Sequence, residues 1–306
     1  MSARFLTTPT ALLSCARRAW PATLALSASL LLAACGGGSS GGDSTASVAM
    51  PAEEALPPLV IDTAADKTAT ALATTGSADP RTLEMAYLRH VMGEELLPIA
   101  HLEVPALDNL RALSDGSGGF LGFRNYQGQP VVNNGVRAEG TVDFPFREGQ
   151  TVRYSWRFGI TKDFQSDPAN RWWLFGDLHD QPDASLGQTW ADYQPHSPSI
   201  GLGYGRLNGQ DQLALIYGAP NPSTRGLVPF ARGVWHRVAL EITWSRGADG
   251  QVALYLDDAT RPVLQASGPN MYNAYQHYLK VGSYRDPAIP GDSWVYVRDL
   301  KVERVR

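Results

Sequence analysis

The chain is expected to fold as an all-β protein, a two-sheet β-sandwich, and three observations lead there. Its 306 residues include only 18% charged side chains alongside 30 Gly, 21 Pro and 8 Trp, a balance suited to packed strands joined by turns. Beyond residue 120 apolar residues alternate with polar ones through several stretches. These stretches follow one another closely without helices between them, which argues against a parallel α/β layout. With 26 Lys and Arg against 30 Asp and Glu the formal net charge is -4, which excludes a basic nucleic-acid binder.

Residues 1–34 contain Arg4, Arg17 and Arg18 and no acid, and end in an apolar run that is short for a bilayer span. This reads as a secretion signal. It closes with Leu32-Ala33-Ala34-Cys35-Gly36, which resembles the lipobox of bacterial lipoproteins, in which the Cys becomes the lipidated first residue of the mature chain. The resemblance implies export across the inner membrane and anchoring through Cys35, at the outer membrane on its periplasmic or surface face. Each buried acyl methylene would add about 0.8 kcal/mol to that anchoring. The alternative is an ordinary signal cut near Ala34 that leaves a free thiol. Cleavage before Cys35 removes the three Arg and no acid, so the balance moves from -4 to -7. Cys15 leaves with the signal, so the mature chain has no intramolecular disulfide and relies on its core. Residues 35–80, with Gly-Gly-Gly-Ser-Ser directly after Cys35, read as a flexible tether, and 81–306 as the folded domain.

Within the domain, Leu83, Tyr87, Leu88, Val91, Met92 and Leu96 fall at helical spacing and predict a short N-terminal amphipathic helix over 82–97. The strands follow. Val152, Tyr154, Trp156 and Phe158 alternate with Arg153, Ser155 and Arg157, so one face is buried and the other wet. Val238, Leu240, Ile242 and Trp244 repeat the pattern, and Val252, Leu254 and Leu256 follow a turn at Asp249-Gly250, which reads as a hairpin. Further strands are predicted over 172–179, 199–204, 213–217, 278–284 and 293–305.

Three stretches carry candidate chemistry. Residues 134–140, NGVRAEG, place Arg137 and Glu139 on one face of a strand, where a carboxylate would hold the Arg as an anion clamp. In 172–180, WWLFGDLHD, alternation puts Trp173, Phe175, Asp177 and His179 on one face, a sugar-stacking surface with a titratable pair. In 278–286, YLKVGSYRD, Tyr278, Lys280, Gly282 and Tyr284 share a face while Leu279 and Val281 point to the core, and Gly282 leaves room for a ligand to approach the backbone.

In this order the three stretches resemble the signatures of the concanavalin A-like polysaccharide lyases. In alginate lyases of that fold they read Arg-Ser-Glu-Leu-Arg, Gln-Ile-His, and Tyr-Phe-Lys-Ala-Gly with a Tyr two residues on. Heparin lyase I and glucuronan lyases look like relatives. The resemblance runs from about residue 120 to the C-terminus, and its most specific part, LKVGSYRD, is closer to the heparin lyase I-like group. It implies a jelly-roll sandwich and β-elimination on a uronic acid, in which a base removes the C5 proton and the bond from C4 to the glycosidic oxygen breaks. Arg137 would hold the carboxylate, Tyr284 would protonate the leaving oxygen and could also be the base, and His179 would be base or neutraliser. Lys280, Asp177, Glu139, Trp173 and Arg285 would contact substrate, with Lys280 favouring the phenolate of Tyr284 if close.

Asp177 stands where the family has Gln, and a carboxylate there would repel the substrate unless it is protonated, binds a cation or turns away to orient His179. Altered substrate, a calcium-assisted site and lost catalysis follow as open consequences, so Ca2+ is the one cofactor left in play. The mature charge favours a plain polyuronate such as glucuronan or alginate over highly sulfated polymers. A noncatalytic glycan-binding lipoprotein is the second reading. A glycoside hydrolase is a distant third, since no carboxylates recur along one strand. The remaining histidines lack metal-ligand spacing, and a monomer is expected. The long loop over 180–198, with Trp190 and Tyr193, is placed at the rim of a cleft.

Overall fold

The computed structural model describes residues 56–62, 99–194 and 196–305. The leader, Cys35, the helix expected over 82–97 and most of the expected tether lie outside them. Fourteen strands account for nearly all regular structure among the described residues: β1 (Ile99–Glu103), β2 (Leu110–Asp115), β3 (Gly118–Tyr126), β4 (Val136–Val142), β5 (Thr151–Gly159), β6 (Trp173–His179), β7 (Ile200–Leu207), β8 (Gln210–Tyr217), β9 (Ser223–Pro229), β10 (His236–Thr243), β11 (Gln251–Leu256), β12 (Leu264–Ser267), β13 (Tyr278–Arg285) and β14 (Asp292–Arg304). They form two seven-stranded sheets in the orders β1-β4-β13-β6-β7-β8-β9 and β12-β11-β10-β5-β14-β3-β2. The all-β sandwich expected from the sequence is the architecture found.

Period-two patterning explains why the sheets face each other. Tyr154, Trp156 and Phe158 of β5 and Val238, Leu240 and Ile242 of β10 are buried, and they meet Phe175, Leu178, Leu202, Leu215, Leu279 and Val281 from the other sheet. Phe158 is the centre of an aromatic group, 5.9 Å from the ring of Phe175 and 5.4 Å from that of Phe230. The β10–β11 hairpin forms as expected, with Thr243 opposite Gln251.

Residues 56–62 fall within the span read as a tether, yet they pack on the domain. Leu59 donates its backbone N–H to Gly233 at 2.9 Å and accompanies Ile61 onto a small cluster of Leu113, Phe120, Trp235 and Tyr296. Along β14, Val295 and Val297 belong to the main core while Tyr296 belongs to this cluster, so the segment covers the outer face of the second sheet.

Phe158→Ala is expected to cost about 3–5 kcal/mol, the range for removing a fully buried aromatic. Denaturant unfolding checks it, the midpoint falling with an unchanged m-value.

Candidate active site

The outer face of the first sheet is built by register. β13 lies between β4 and β6, and across it Tyr284 pairs with Arg137, Gly282 with Glu139 and Lys280 with Thr141. On its other side Lys280 pairs with Asp177 and Tyr278 with His179, while Glu139 pairs outward with Glu103 on edge strand β1. Since side chains alternate, this register brings Arg137, Glu139, Lys280, Tyr284, Asp177, His179 and Glu103 to one face. That face carries a cleft of about 750 Å³ whose walls include His101, Glu103, Arg137, Trp190, Tyr278 and Lys280.

Arg137 and Lys280, both nearly buried, converge on one carboxylate oxygen. Arg137 Nη1 donates to Glu103 Oε2 at 2.5 Å and Lys280 Nζ donates to the same atom at 2.9 Å. Glu139, expected to be the partner of Arg137, is on the correct face but lies farther off, with its Oε2 3.9 Å from Nη1. Burial disfavours the charge on Glu103, yet Lys280 and Arg137 outweigh it and hold the carboxyl below its ordinary range.

Tyr284 lies beneath the Arg137 guanidinium, 4.3 Å from guanidinium carbon to ring centroid, and Trp172 meets it edge-on with centroids 4.8 Å apart. Its hydroxyl donates to the carbonyl of Asn133. That carbonyl belongs to a tight turn in which Asn133 and Asn134 take φ of 50° and 68°, closed by backbone bonds of 2.8 and 3.2 Å between Val132 and Gly135. Gly135 is required there, because a Cβ would stand 2.2 Å from Tyr284 Cε2 and 2.5 Å from Trp172. Burial raises the Tyr284 phenol above its ordinary value despite Arg137. Lys280 hydrogen-bonds Glu103 and lies over the ring of Tyr278 at 5.5 Å, so the phenolate-promoting role expected for it at Tyr284 is replaced by carboxylate binding.

Asp177 and Glu139 are both fully enclosed. Burial, reinforced by the charge of Asp177, pushes Glu139 up to about 8, and burial likewise raises Asp177 in spite of Lys280. Asp177 is therefore not an exposed anion facing the cleft.

His179 is set at the other end of the row, with no contact to Tyr284 or Arg137. It follows Tyr278 across the ladder, and Tyr278 and Tyr284 are six residues apart, roughly 20 Å along the strand. Its Nδ1 is 3.1 Å from Asp180 Oδ1, and His196 Nδ1 is 2.5 Å from Asp180 Oδ2, which also accepts from the Tyr193 hydroxyl. These donors overcome burial and draw Asp180 down to about 2, so the carboxylate only accepts and each histidine carries its proton on Nδ1. Nε2 of His179 is thereby the basic nitrogen. Trp190 projects from the loop over 180–198, 59% exposed, with its ring 6.3 Å from Tyr278.

Two expected contacts are corrected. Trp173 is in the core: β6 carries one extra residue between Leu174 and Gly176 relative to β7, and the alternation inverts there. Its indole donates to Ser283 Oγ at 2.9 Å, and the exposed neighbour is Trp172, at 41%. Arg285 is also enclosed, donating to Ser293 Oγ at 3.0 Å and to the Gly291 carbonyl at 2.9 Å, and burial lowers it to about 10. Gly282 is explained by its backbone and not by a ligand: its φ is 138°, and a Cβ would stand 2.4 Å from the Ala138 carbonyl.

The sequence reading missed Glu103, Asp180 and His196. Alternation of His101 and Glu103 with Leu102 and Val104 was available as a strand signal, but nothing local placed that strand beside Arg137. Among the described residues no cluster of His, Cys, Asp and Glu is arranged to hold a metal ion.

A polysaccharide lyase family model matches residues 112–301, a span that includes Arg137, His179, Lys280 and Tyr284. The chain belongs to the polysaccharide lyase family. Among solved structures, the lyase is similar to the endo-β-1,4-glucuronan lyase from the fungus Trichoderma reesei, at 17% identity over 68% of this chain and 92% of that one, TM-score 0.48. It is also similar to the marine PL-14 alginate lyase from Aplysia kurodai, at 12% identity over 71% and 94%, TM-score 0.48. The catalytic domain of a glycoside hydrolase family 131 protein from Coprinopsis cinerea aligns at 14% identity over 64% and 77%, TM-score 0.45. No curated protein matches the chain.

The raised Glu139 carboxyl makes the lyase's stability pH-dependent. The native state keeps a proton that the unfolded chain, with an ordinary value of 4.5, releases, so stability falls as pH rises from about 4.5 through about 8. Glu139→Gln is expected to flatten that slope in melting temperatures measured between these limits.

Proposed function

We propose that this lyase cleaves a uronate-containing polymer by β-elimination and that it works as a lipid-anchored protein of the outer membrane. One observation carries the first part: Arg137 and Lys280, from adjoining strands, already grip a carboxylate at the wall of the cleft. In β-elimination the electrons of the C5–H bond flow toward a group that is already an anion, so neutralising the carboxylate is the main demand on the protein. Two fixed cations supply this, Arg137 through Nη1 and Lys280 through Nζ.

Tyr284 and His179, roughly 20 Å apart along the row, do not reach the same sugar, so the chemistry is placed at the Arg137 end. There Tyr284 serves as both acid and base: its hydroxyl gives its proton to the leaving oxygen as the C4–oxygen bond breaks and takes up the C5 proton as the C4–C5 double bond forms. His179 is left to bind or neutralise a neighbouring unit. The direction of the Tyr284 shift favours that acid role, because a phenol raised above its ordinary value is protonated at neutral pH. Trp172 and Trp190, exposed near the two ends of the row, suit stacking against flanking sugars. Glu139 and Asp177 are fully buried on the same face, where burial disfavours their charge.

Anchoring rests on the motif ending at Cys35. Residues 56–62 dock on the outer face of the second sheet, away from the cleft, which suits a tether that leaves the cleft open to polymer.

The test uses the chain carrying Cys35→Ser, mixed with glucuronan, alginate, hyaluronan, pectate or heparin while the ultraviolet absorbance of unsaturated uronate is followed. A rise on one polymer is expected, with Tyr284→Phe lowering the rate by about 10²-fold or more and His179→Ala acting mainly on KM. Absence of a rise on all of them overturns the reading. Radiolabelled palmitate incorporated into the unsubstituted chain, and lost in Cys35→Ser, tests the anchor.

A further inference from the structure

The geometry points to Glu103 as a placeholder: its carboxylate occupies the position that the substrate's carboxylate takes, and the polymer displaces it on binding. The inference rests on the cleft being a uronate site and assigns that site a specificity-determining residue.

The three partners are not equivalent. Arg137 and Lys280 belong to the interior strands β4 and β13, with side chains 8% and 5% exposed, so their positions are fixed by the sheet. Glu103 reaches them from edge strand β1, is 26% exposed, and forms part of the cleft wall. The register of β1 with β4 slips between Ile99 and His101, so this edge is the irregular part of the row. The two other acids of this face, Glu139 and Asp177, are fully buried. Glu103 instead caps the cations from the solvent side, where a ligand would arrive.

An exchange of carboxylate for carboxylate has a consequence for selectivity. While Glu103 is in place, neither cation is left unpaired in a poorly solvated wall, where an isolated charge is costly. A neutral sugar brings no anion to take over both hydrogen bonds, so it would leave the cations bare if it displaced Glu103. A uronate takes them over at little net cost. Glu103 thus lowers affinity for the right polymer modestly and for neutral glycans much more, which is discrimination through a competing internal group.

The test compares Glu103→Gln with the parent, both carrying Cys35→Ser. The KM for the cleaved polyuronate is expected to fall by about tenfold, equivalent to about 1.4 kcal/mol, with kcat little changed. Glucuronate, used as a probe in thermal melts, should stabilise Glu103→Gln more than the parent, and glucose should stabilise neither. A purely structural ion pair would give lower melting temperature with no gain in KM and no added response to glucuronate, and that result overturns the proposal. If Glu103→Gln does not fold, Glu103→Asp retains the charge with a shorter reach, and its KM and glucuronate response are expected to move in the same direction; no movement rejects the placeholder. If the parent cleaves no polymer, the functional reading fails, while the glucuronate comparison still decides the role of Glu103.

Discussion

The site depends on the register that β13 keeps with β4 and β6. A slip of one residue would turn every outward side chain of this strand into the core. The register is irregular against β6 between Val281 and Tyr284, so alternation alone does not hold it there. Polar pins on the inner side do. Ser283 Oγ accepts from the Trp173 indole at 2.9 Å and from Asn125 Nδ2 at 3.0 Å, and Asn125 also donates to the Ser283 carbonyl at 2.9 Å. Gly282, at φ 138°, allows the turn of the backbone between these pins and Lys280. The inward Ser283 and the outward Tyr284 are consecutive, so the bonds that hold one aim the other.

On that frame the main difficulty is charge. Two cations and three carboxyls share one poorly solvated face, and isolated ions there would each cost several kcal/mol. The arrangement meets this by pairing in layers. Glu103 meets both cations from the solvent side, and burial disfavours the charge on the enclosed Glu139 and Asp177. The balance at the cleft wall is thus set by a few paired groups and not by the acidic chain as a whole. Overall net charge is a poor guide to such a site, since the fields that count at contact distance come from the nearest few groups.

How far the sequence could be read follows from the same geometry. Alternation over 152–158 and 238–244 predicted the inner faces of β5 and β10, because those strands pair without irregularity. Arg137, Lys280 and Tyr284 were legible as sharing a face for the same reason, the β4–β13 register being unbroken. Trp173 was misplaced because counting back from His179 crosses the bulge at Phe175, which leaves no clear mark in the residues themselves. Arg285 was misplaced differently: the alternation that turns Tyr284 outward turns its neighbour inward, and the charged side chain hid that. Glu103 could not be found, since its role exists only through a pairing of β1 with β4 that joins residues far apart in the chain.

For the acid role proposed for Tyr284, its surroundings set the limits. Its ring is held by Arg137 on one face, by the edge of Trp172, and by the backbone at Gly135, where any side chain would collide with it. The turn that supplies the Asn133 carbonyl is closed by its own backbone bonds and is not easily lifted away. With ring and turn both fixed, the freedom that remains is rotation of the hydroxyl about the phenolic C–O bond. In the proposed reaction Asn133 would be a resting acceptor: its carbonyl holds the hydroxyl oriented until a glycosidic oxygen, developing charge as the C4–oxygen bond breaks, draws the proton away. That division suits an acid that must hold its proton through binding and release it only in the transition state.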